Sequence, residues 1–508
     1  MYYFQTSSQL ISSTKFSQRL YHHLKCDKVI KKVRQKCLFY TIITRSSDPR
    51  CATTHGYNQL NGWFLKKHKS SWAKETLLAI NQSLNDNKER KCDFPIIIPP
   101  NNNNKGVPIH LFTTDIEEDA LEQIRLLAES PLPTDYVSVM PDAHLGKGVT
   151  VGTVFASQDY VSPNAVGVDI GCGMAAVPIH DLYKLNLSRD DLLTIQKLIK
   201  ERIPTGFNQH RKTLHGTKSI LEQITQEVKP STYLEQQLLL PRVTDQLGTL
   251  GGGNHFIEVL YDENDGQVWI MLHSGSRNIG NRVATHYDGI AKSLLRSKGI
   301  DVKALKGINY MPIDSQEGQN YLRDMEWCQQ YAFHNREVMK SIMLDIIKQV
   351  MGGKEADTTK AVNIHHNYCS CEDCGGGRKL WVTRKGATSA KQGEAGIIPG
   401  SMGTGSYITR GKGNKLSWNS SSHGAGRRMS RTQAHNSIPQ TEFEKVMNGI
   451  ICDTHPSVKD EAPQAYKDLS VVMQNQISLT DITHRLLPII NVKGFEKKIP
   501  NRFKRKIK

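Results

Sequence analysis

The chain has 508 residues, is 38% hydrophobic and 23% charged, and carries a formal net charge of +17. That is enough chain for one large core or two ordinary ones, and with no run of eighteen apolar residues a membrane-spanning helix is excluded, so a soluble protein with no membrane partner is expected. The charge sits at the ends: residues 1–50 hold ten Lys/Arg against two acids and residues 494–508 hold seven against one, which leaves a net of +3 between them. Any nucleic-acid groove in the body must therefore be a local patch. Ten cysteines at irregular spacing do not make a disulfide framework and fit a reducing, intracellular compartment.

Residues 1–104 read as a basic, irregular extension, rich in Ser, Thr, Lys and Arg and closed by Pro99, Pro100 and the asparagines at 101–104. This composition is compatible with an organellar targeting segment of the mitochondrial kind and equally with a plain linker, so the expected location is the cytoplasm or an organelle. From residue 105 the texture changes. Ile116, Ala120, Leu121, Ile124 and Leu127 recur at helical spacing, and residues 148–154 are β-branched and glycine-punctuated like a strand. Residues 185–240 are mostly helical in pattern, residues 268–272 read as a buried strand, and 321–351 carry one long helical pattern. Between 380 and 432 short apolar runs alternate with Gly/Ser turns. Helices and strands interleave without a regular βαβ rhythm, which predicts an α+β fold: one compact mixed body over 105–494 with a β-sheet core, flanking helices and the site at glycine-rich strand ends, followed by a basic tail at 495–508.

Chemistry-bearing residues cluster at those strand ends. Asp169 and Cys172 share a glycine-rich bend; Asn254 and His255 follow three glycines; His273 closes an apolar strand; His366 and Asn367 stand together; His423 is flanked by Gly424. Loops at strand ends are where a rigid scaffold presents catalytic groups. Imidazoles with one carboxylate and one thiolate suit a transition metal such as Mn²⁺, Zn²⁺ or Fe²⁺ better than Ca²⁺ or Mg²⁺. No Walker A loop or dinucleotide fingerprint is present, although the glycine-rich segment 399–406 offers backbone donors to a phosphate or base. Cys369, Cys371 and Cys374 form a CxCxxC run with too few ligands for a structural zinc site, and read as an inert insertion.

The segments MPDAHLGKG at 140–148, GVDIGCG at 167–173, LGGGNHFIE at 250–258, LHSGSR at 272–277, RKGA at 384–387, PGSMGT at 399–404 and SHGAGR at 422–427 resemble, in order, the RtcB-type RNA ligases of tRNA splicing and RNA repair. The similarity spans roughly 105–494, and the spacing between motifs is closer to the shorter bacterial form. The resemblance implies two Mn²⁺ ions, one held by Asp169, Cys172 and His255, the other by Cys172, His273 and His366, with Cys172 bridging; His366 rather than His365 is selected because it stands directly before Asn367. It implies His423 as the catalytic residue that takes GMP from GTP, and a guanylate site comprising Asn254, His255, Phe256, Ile257, Glu258, His366, Asn367, Pro399, Gly400, Ser401, Met402, Ser406, His423, Gly424, Ala425, Gly426 and Lys493, with Tyr466 against the base. The implied partners are GTP and RNA (tRNA halves or broken RNA ends), joined from a 2′,3′-cyclic phosphate or 3′-phosphate to a 5′-hydroxyl; an activating protein partner stays open. Arg277, Arg384, Lys385 and Arg427 are candidates to line the RNA path. The alternatives are a metal-dependent cyclic phosphodiesterase that does not ligate, and an RNA-binding scaffold.

Overall fold

The computed structural model describes residues 94–100 and 105–494. The rest of the basic extension, with its targeting reading, and the tail at 495–508 lie outside the described residues. A short strand lies ahead of the expected boundary at 105. Ile96–Ile98 form an edge strand antiparallel to Ile109–Leu111, with Ile96 opposite Leu111 and Ile98 opposite Ile109. Three consecutive β-branched residues extend readily and bury Ile96 and Ile98, and the two prolines after them end the strand. Their proline- and asparagine-rich surroundings hide this in the sequence.

The body is a mixed α+β arrangement, as the interleaved patterns predict, organised around two sheets. The six-stranded sheet runs in the order Ile96–Ile98, Ile109–Leu111, Val137–His144, Val151–Ser157, Lys379–Lys385, Asn367–Asp373. The larger sheet runs Val362–His365, Gly173–Tyr183, Gln267–Ser274, Phe256–Asp262, Thr480–Lys493, Ser406–Gly411, Ala395–Pro399, and Ile451–Cys452 pairs alongside Thr480–Lys493. Its central strands are buried on both faces. Ile257, Val259, Ile270 and Leu272 face a core shared with the helices Arg189–Arg202 and Gln316–Val350, while Phe256, Leu260, Trp269 and Met271 face the other way. The 35-residue helix Gln316–Val350 is the long pattern read between 321 and 351. It is capped by Ser315, whose side chain accepts from the Gly318 N–H, and Tyr321, Met325, Cys328, Tyr331, Ala332, Met339 and Met343 form its buried stripe.

Antiparallel pairing brings the working ends of the strands to one edge of the large sheet. Phe256 lies opposite both His273 and Lys493, Met174 opposite His273, Gly173 opposite His365, and Asn491 opposite Glu258. No helix among the described residues is long and apolar enough to cross a membrane.

Candidate active site

His255 stands immediately before the strand Phe256–Asp262, His273 near the end of Gln267–Ser274, and His366 between Val362–His365 and Asn367–Asp373. The register therefore aims three imidazoles at the bend holding Asp169 and Cys172. His255 Nδ1 donates to the Leu250 carbonyl (2.9 Å) and His273 Nδ1 to the Asn254 carbonyl (3.3 Å). A carbonyl only accepts, so Nδ1 holds a proton in each ring and Nε2 is the nitrogen whose lone pair a metal can take. Those Nε2 atoms lie 3.4 and 3.2 Å from Cys172 Sγ, and the three ligand atoms fall within 4.8 Å of one another. Asp169 Oδ2 extends the group on the His255 side at 3.0 Å, and His366 Nε2 extends it on the His273 side at 3.3 Å. His365 is drawn away, its Nδ1 bound to the Gly171 carbonyl and facing Arg336. Gly275 permits this crowding: a Cβ there would stand 2.2 Å from Asp169 Oδ1.

Electrostatics fit a cation at this point. Burial pushes the Cys172 thiol well above its ordinary value, with the Asp169 charge adding to the effect, and burial drives His273 and His366 well below the usual imidazole range. Burial alone would raise Asp169, but the hydrogen bond and charge of His255 outweigh it and lower the carboxyl. Buried neutral rings, one carboxylate and a buried sulfur with converging lone pairs make a transition-metal donor set.

His423 follows the short strand Ser420–Ser422, which pairs with Ala387–Ser389. Its ring centroid is 4.8 Å from that of His366, and its Nδ1 is 2.7 Å from Oδ2 of Asp142, a wholly buried carboxylate from the six-stranded sheet. The same oxygen accepts the backbone N–H groups of His423 (3.1 Å) and Gly424 (3.2 Å). Asp142 thus holds the backbone by hydrogen bonds and stands beside the Nδ1 edge of the ring, leaving Nε2 as the nitrogen turned away from it. Gly426, at φ +73°, holds the turn against this carboxylate's own backbone, since a Cβ there would meet the Asp142 carbonyl oxygen at 2.1 Å.

A cavity of about 230 Å³ opens beside His423. Its wall includes Asn254, Phe256, Glu258 and His273 from the large sheet, Pro399, Gly400, Ser401, Met402 and Ser406 from one hairpin, Gly424, Ala425, Gly426, Tyr466 and Lys493. Glu258 is buried and accepts from Asn491 Nδ2 at 2.7 Å; burial pushes its carboxyl up to about 7. Lys493 Nζ donates to Glu461 and, at 3.3 Å, to the Asn254 carbonyl. Burial alone would raise the Glu461 carboxyl, yet Lys493, Arg431 and Arg427 bring it down to about 2. The Tyr466 hydroxyl also donates to Glu461 (2.7 Å). The sequence reading assigned no role to Asp142, His144, Arg431, Glu461 or Asn491. Asp142 and His144 lay inside a quoted motif, whereas nothing local marks Glu461 or Asn491.

Other expected residues stand elsewhere. Ile257 turns into the opposite core, as strand alternation requires between Phe256 and Glu258. Asn367 does not line the cavity: its Oδ1 accepts from Gly386 N–H (2.9 Å) and its Nδ2 donates to the Asp169 carbonyl (3.3 Å). Arg384 and Lys385 do not line an RNA path. Arg384 is wholly buried, ion-paired to Glu372 and bound to Ser420 Oγ (2.9 Å) and the Trp418 carbonyl (3.0 Å). Lys385 Nζ is spent on the Lys147 and Asn164 carbonyls. Arg277 lies across Gly251 and donates to Thr249 Oγ1 and the Gly206 carbonyl, while Arg427 lines the cavity and pairs with Glu461. Arg384→Met should leave half-buried Glu372 with only Lys391 (3.2 Å) as its ion partner, deprive Ser420 Oγ and the Trp418 carbonyl of their donor, and cost up to about 3–5 kcal/mol of stability in denaturant titrations; an unchanged midpoint would contradict the structural role. Cys369 is buried, Cys371 exposed and Cys374 intermediate, and among the described residues these three do not gather into a ligand group.

A family model described as tRNA-splicing ligase RtcB matches residues 123–494. The RNA-splicing ligases RtcB1 and RtcB of Escherichia coli (the latter from strain K12) are each 36% identical to this chain, over 403 and 409 residues, covering 77% of it and 96% of each relative. The tRNA-splicing ligase RtcB of Nanoarchaeum equitans is 30% identical over 487 residues, covering 80% of this chain and 100% of its own. With most of its length inside the matched region, and with it Asp169, Cys172, His255, His273, His366 and His423, the chain belongs to the tRNA-splicing ligase RtcB family.

Proposed function

We propose that this RNA ligase is GTP-dependent and guanylylates His423, opens an RNA 2′,3′-cyclic phosphate with water to a 3′-phosphate, then passes GMP to that 3′-phosphate and joins the end to a 5′-hydroxyl, in tRNA splicing or RNA repair. The observation that carries the reading is His423 itself: oriented by a buried carboxylate, it stands beside both the Cys/His group and the cavity. Asp169, Cys172 and His255 would hold one Mn²⁺, and Cys172, His273 and His366 a second; bound there, the ions would neutralise phosphate charge.

The protein residues do the rest. Neutral His423 uses Nε2 to form an N–P bond to the α-phosphorus as the bond to pyrophosphate breaks. The ring then carries a positive charge, which Asp142 stabilises at Nδ1–H. The resulting phosphoramidate is a good donor of GMP to the RNA 3′-phosphate, whose activated end the 5′-hydroxyl attacks with loss of GMP. The backbone N–H groups of Ala425 and Gly426 suit phosphate oxygens, that of Gly424 being held by Asp142.

Glu258 supports the choice of guanine. As a carboxylate it accepts guanine N1–H and the 2-amino group, whereas adenine offers an acceptor at N1 and leaves it unpaired. Glu258→Gln should therefore cut the ratio of GTP to ATP use by at least about tenfold. Because burial holds the free carboxyl near 7, the KM for GTP should fall as pH rises through neutrality and the carboxylate form takes over. A flat profile in the wild type, or an unchanged ratio in the variant, would remove Glu258 from base recognition.

The direct test supplies one RNA ending in a 2′,3′-cyclic phosphate, one beginning with a 5′-hydroxyl, GTP and Mn²⁺. A joined product is expected. Opening of the cyclic phosphate without joining would instead indicate a phosphodiesterase, and neither reaction would indicate an RNA-binding scaffold.

A further inference from the structure

Phe207 is the most exposed aromatic side chain among the described residues, at 85% of its full accessibility. The chain does not leave it there by slackness. On one side Gly206 N–H donates to the Gly251 carbonyl at 2.7 Å, and Thr205 bridges to Gly251. On the other, His210 N–H donates to the Asp245 carbonyl and its ring to the Gly248 carbonyl, both at 3.0 Å. Between these pins a tight turn, Asn208 N–H to the Thr205 carbonyl at 3.2 Å, leaves Phe207, Asn208 and Gln209 exposed. Each pin reaches the glycine loop 248–253, at Gly251 and at Gly248, and this loop leads into Asn254 of the cavity wall and His255 of the ligand group. Gly206 also stands against Gly494, next to cavity-lining Lys493. The loop is thus a fixed rim on the site.

Its charge is mainly positive. Residues 203–221 contain no Asp or Glu but hold Arg211, Lys212 and Lys218 together with His210 and His215, against one acid that reaches the loop, Asp245 at Thr213 (2.8 Å); Arg211 and Lys212 are exposed directly after the aromatic tip. In a body whose net charge is nearly neutral, this is a local basic patch with an outward aromatic face. Such a pairing suits an unpaired nucleotide strand: the face stacks a base of any sequence and the cations meet its phosphates. Arg384 and Lys385, being buried, offer no such surface.

We propose that Phe207 is a base-stacking platform for the single-stranded end of the RNA substrate, with Arg211 and Lys212 on its backbone. The proposal rests on the RNA-ligase reading, but the platform can be tested without catalysis. Fluorescence anisotropy with a labelled single-stranded RNA carrying a 3′-phosphate, without GTP, should show Phe207→Ala binding about tenfold more weakly and Phe207→Trp close to wild type. Arg211→Gln and Lys212→Gln should each reduce the slope of log affinity against log salt by about 0.7. Labelling of His423 from GTP, which needs no RNA, serves as the control for an intact fold. Wild-type RNA affinity in Phe207→Ala would overturn the proposal and pass this surface to a protein partner. Equal weakening by the Ala and Trp variants, or an equal loss on blunt duplex RNA, would overturn stacking. A wild type that binds RNA but neither labels nor ligates would instead defeat the ligase mechanism and leave the platform standing.

Discussion

Cys172→Ala is expected to strip the protein of bound metal, lowering Mn²⁺ affinity by more than about a hundredfold, beyond what loss of a supporting partner costs. Its sulfur is the common point of the group, 3.4 Å from the nitrogen of His255 and 3.2 Å from that of His273. Removing it touches both proposed ion positions, whereas His255→Ala or His366→Ala touches one. Since burial holds the thiol well above its ordinary value, a cation must displace the proton, so metal uptake should release protons and strengthen as pH rises. Metal retained after gel filtration, counted by elemental analysis, checks this. Two ions per chain in Cys172→Ala would contradict it.

Asp142→Asn should slow guanylylation of His423 by a factor on the order of 10²–10⁴, the scale found when a carboxylate supporting a catalytic histidine loses its charge. The amide keeps the shape of the side chain, but the ring that becomes positive on attack would face a neutral group in a fully buried position. Metal content should stay at the wild-type value because Asp142 makes no contact with the ligand group. The rate of label uptake at saturating GTP is the appropriate measurement. A wild-type rate would reduce Asp142 to a backbone clamp for His423 and Gly424.

Much of this site is legible in the sequence because its parts lie in glycine-rich turns, where function leaves little besides the working side chain. Asp169, Cys172, His255 and His423 are of this kind, while His273 closes an apolar strand and His366 stands between two strands before Asn367, and the strand register brings them together. What escapes the sequence depends on tertiary contact. Glu461 becomes part of the cavity only because Lys493, Arg427 and Arg431 converge on it. Arg384 and Lys385 look like surface cations because their charge is visible and their burial is not; the strand Lys379–Lys385 runs between neighbours on both sides and its polar ends are met by carbonyls and Glu372. Ile257 illustrates the opposite case, since the period-two alternation of Phe256–Asp262 already implies that it faces away from Glu258. The edge strand Ile96–Ile98 shows how flanking composition masks a short element whose stability comes from its neighbour.

The central claim, that His423 carries GMP, is tested most directly by incubating the protein with GTP labelled at the α-phosphate and Mn²⁺, then locating the label. An acid-labile, alkali-stable adduct on His423 is expected in the wild type and none in His423→Ala. Equal labelling of the two proteins, or no labelling of the wild type with metal bound, would contradict the account.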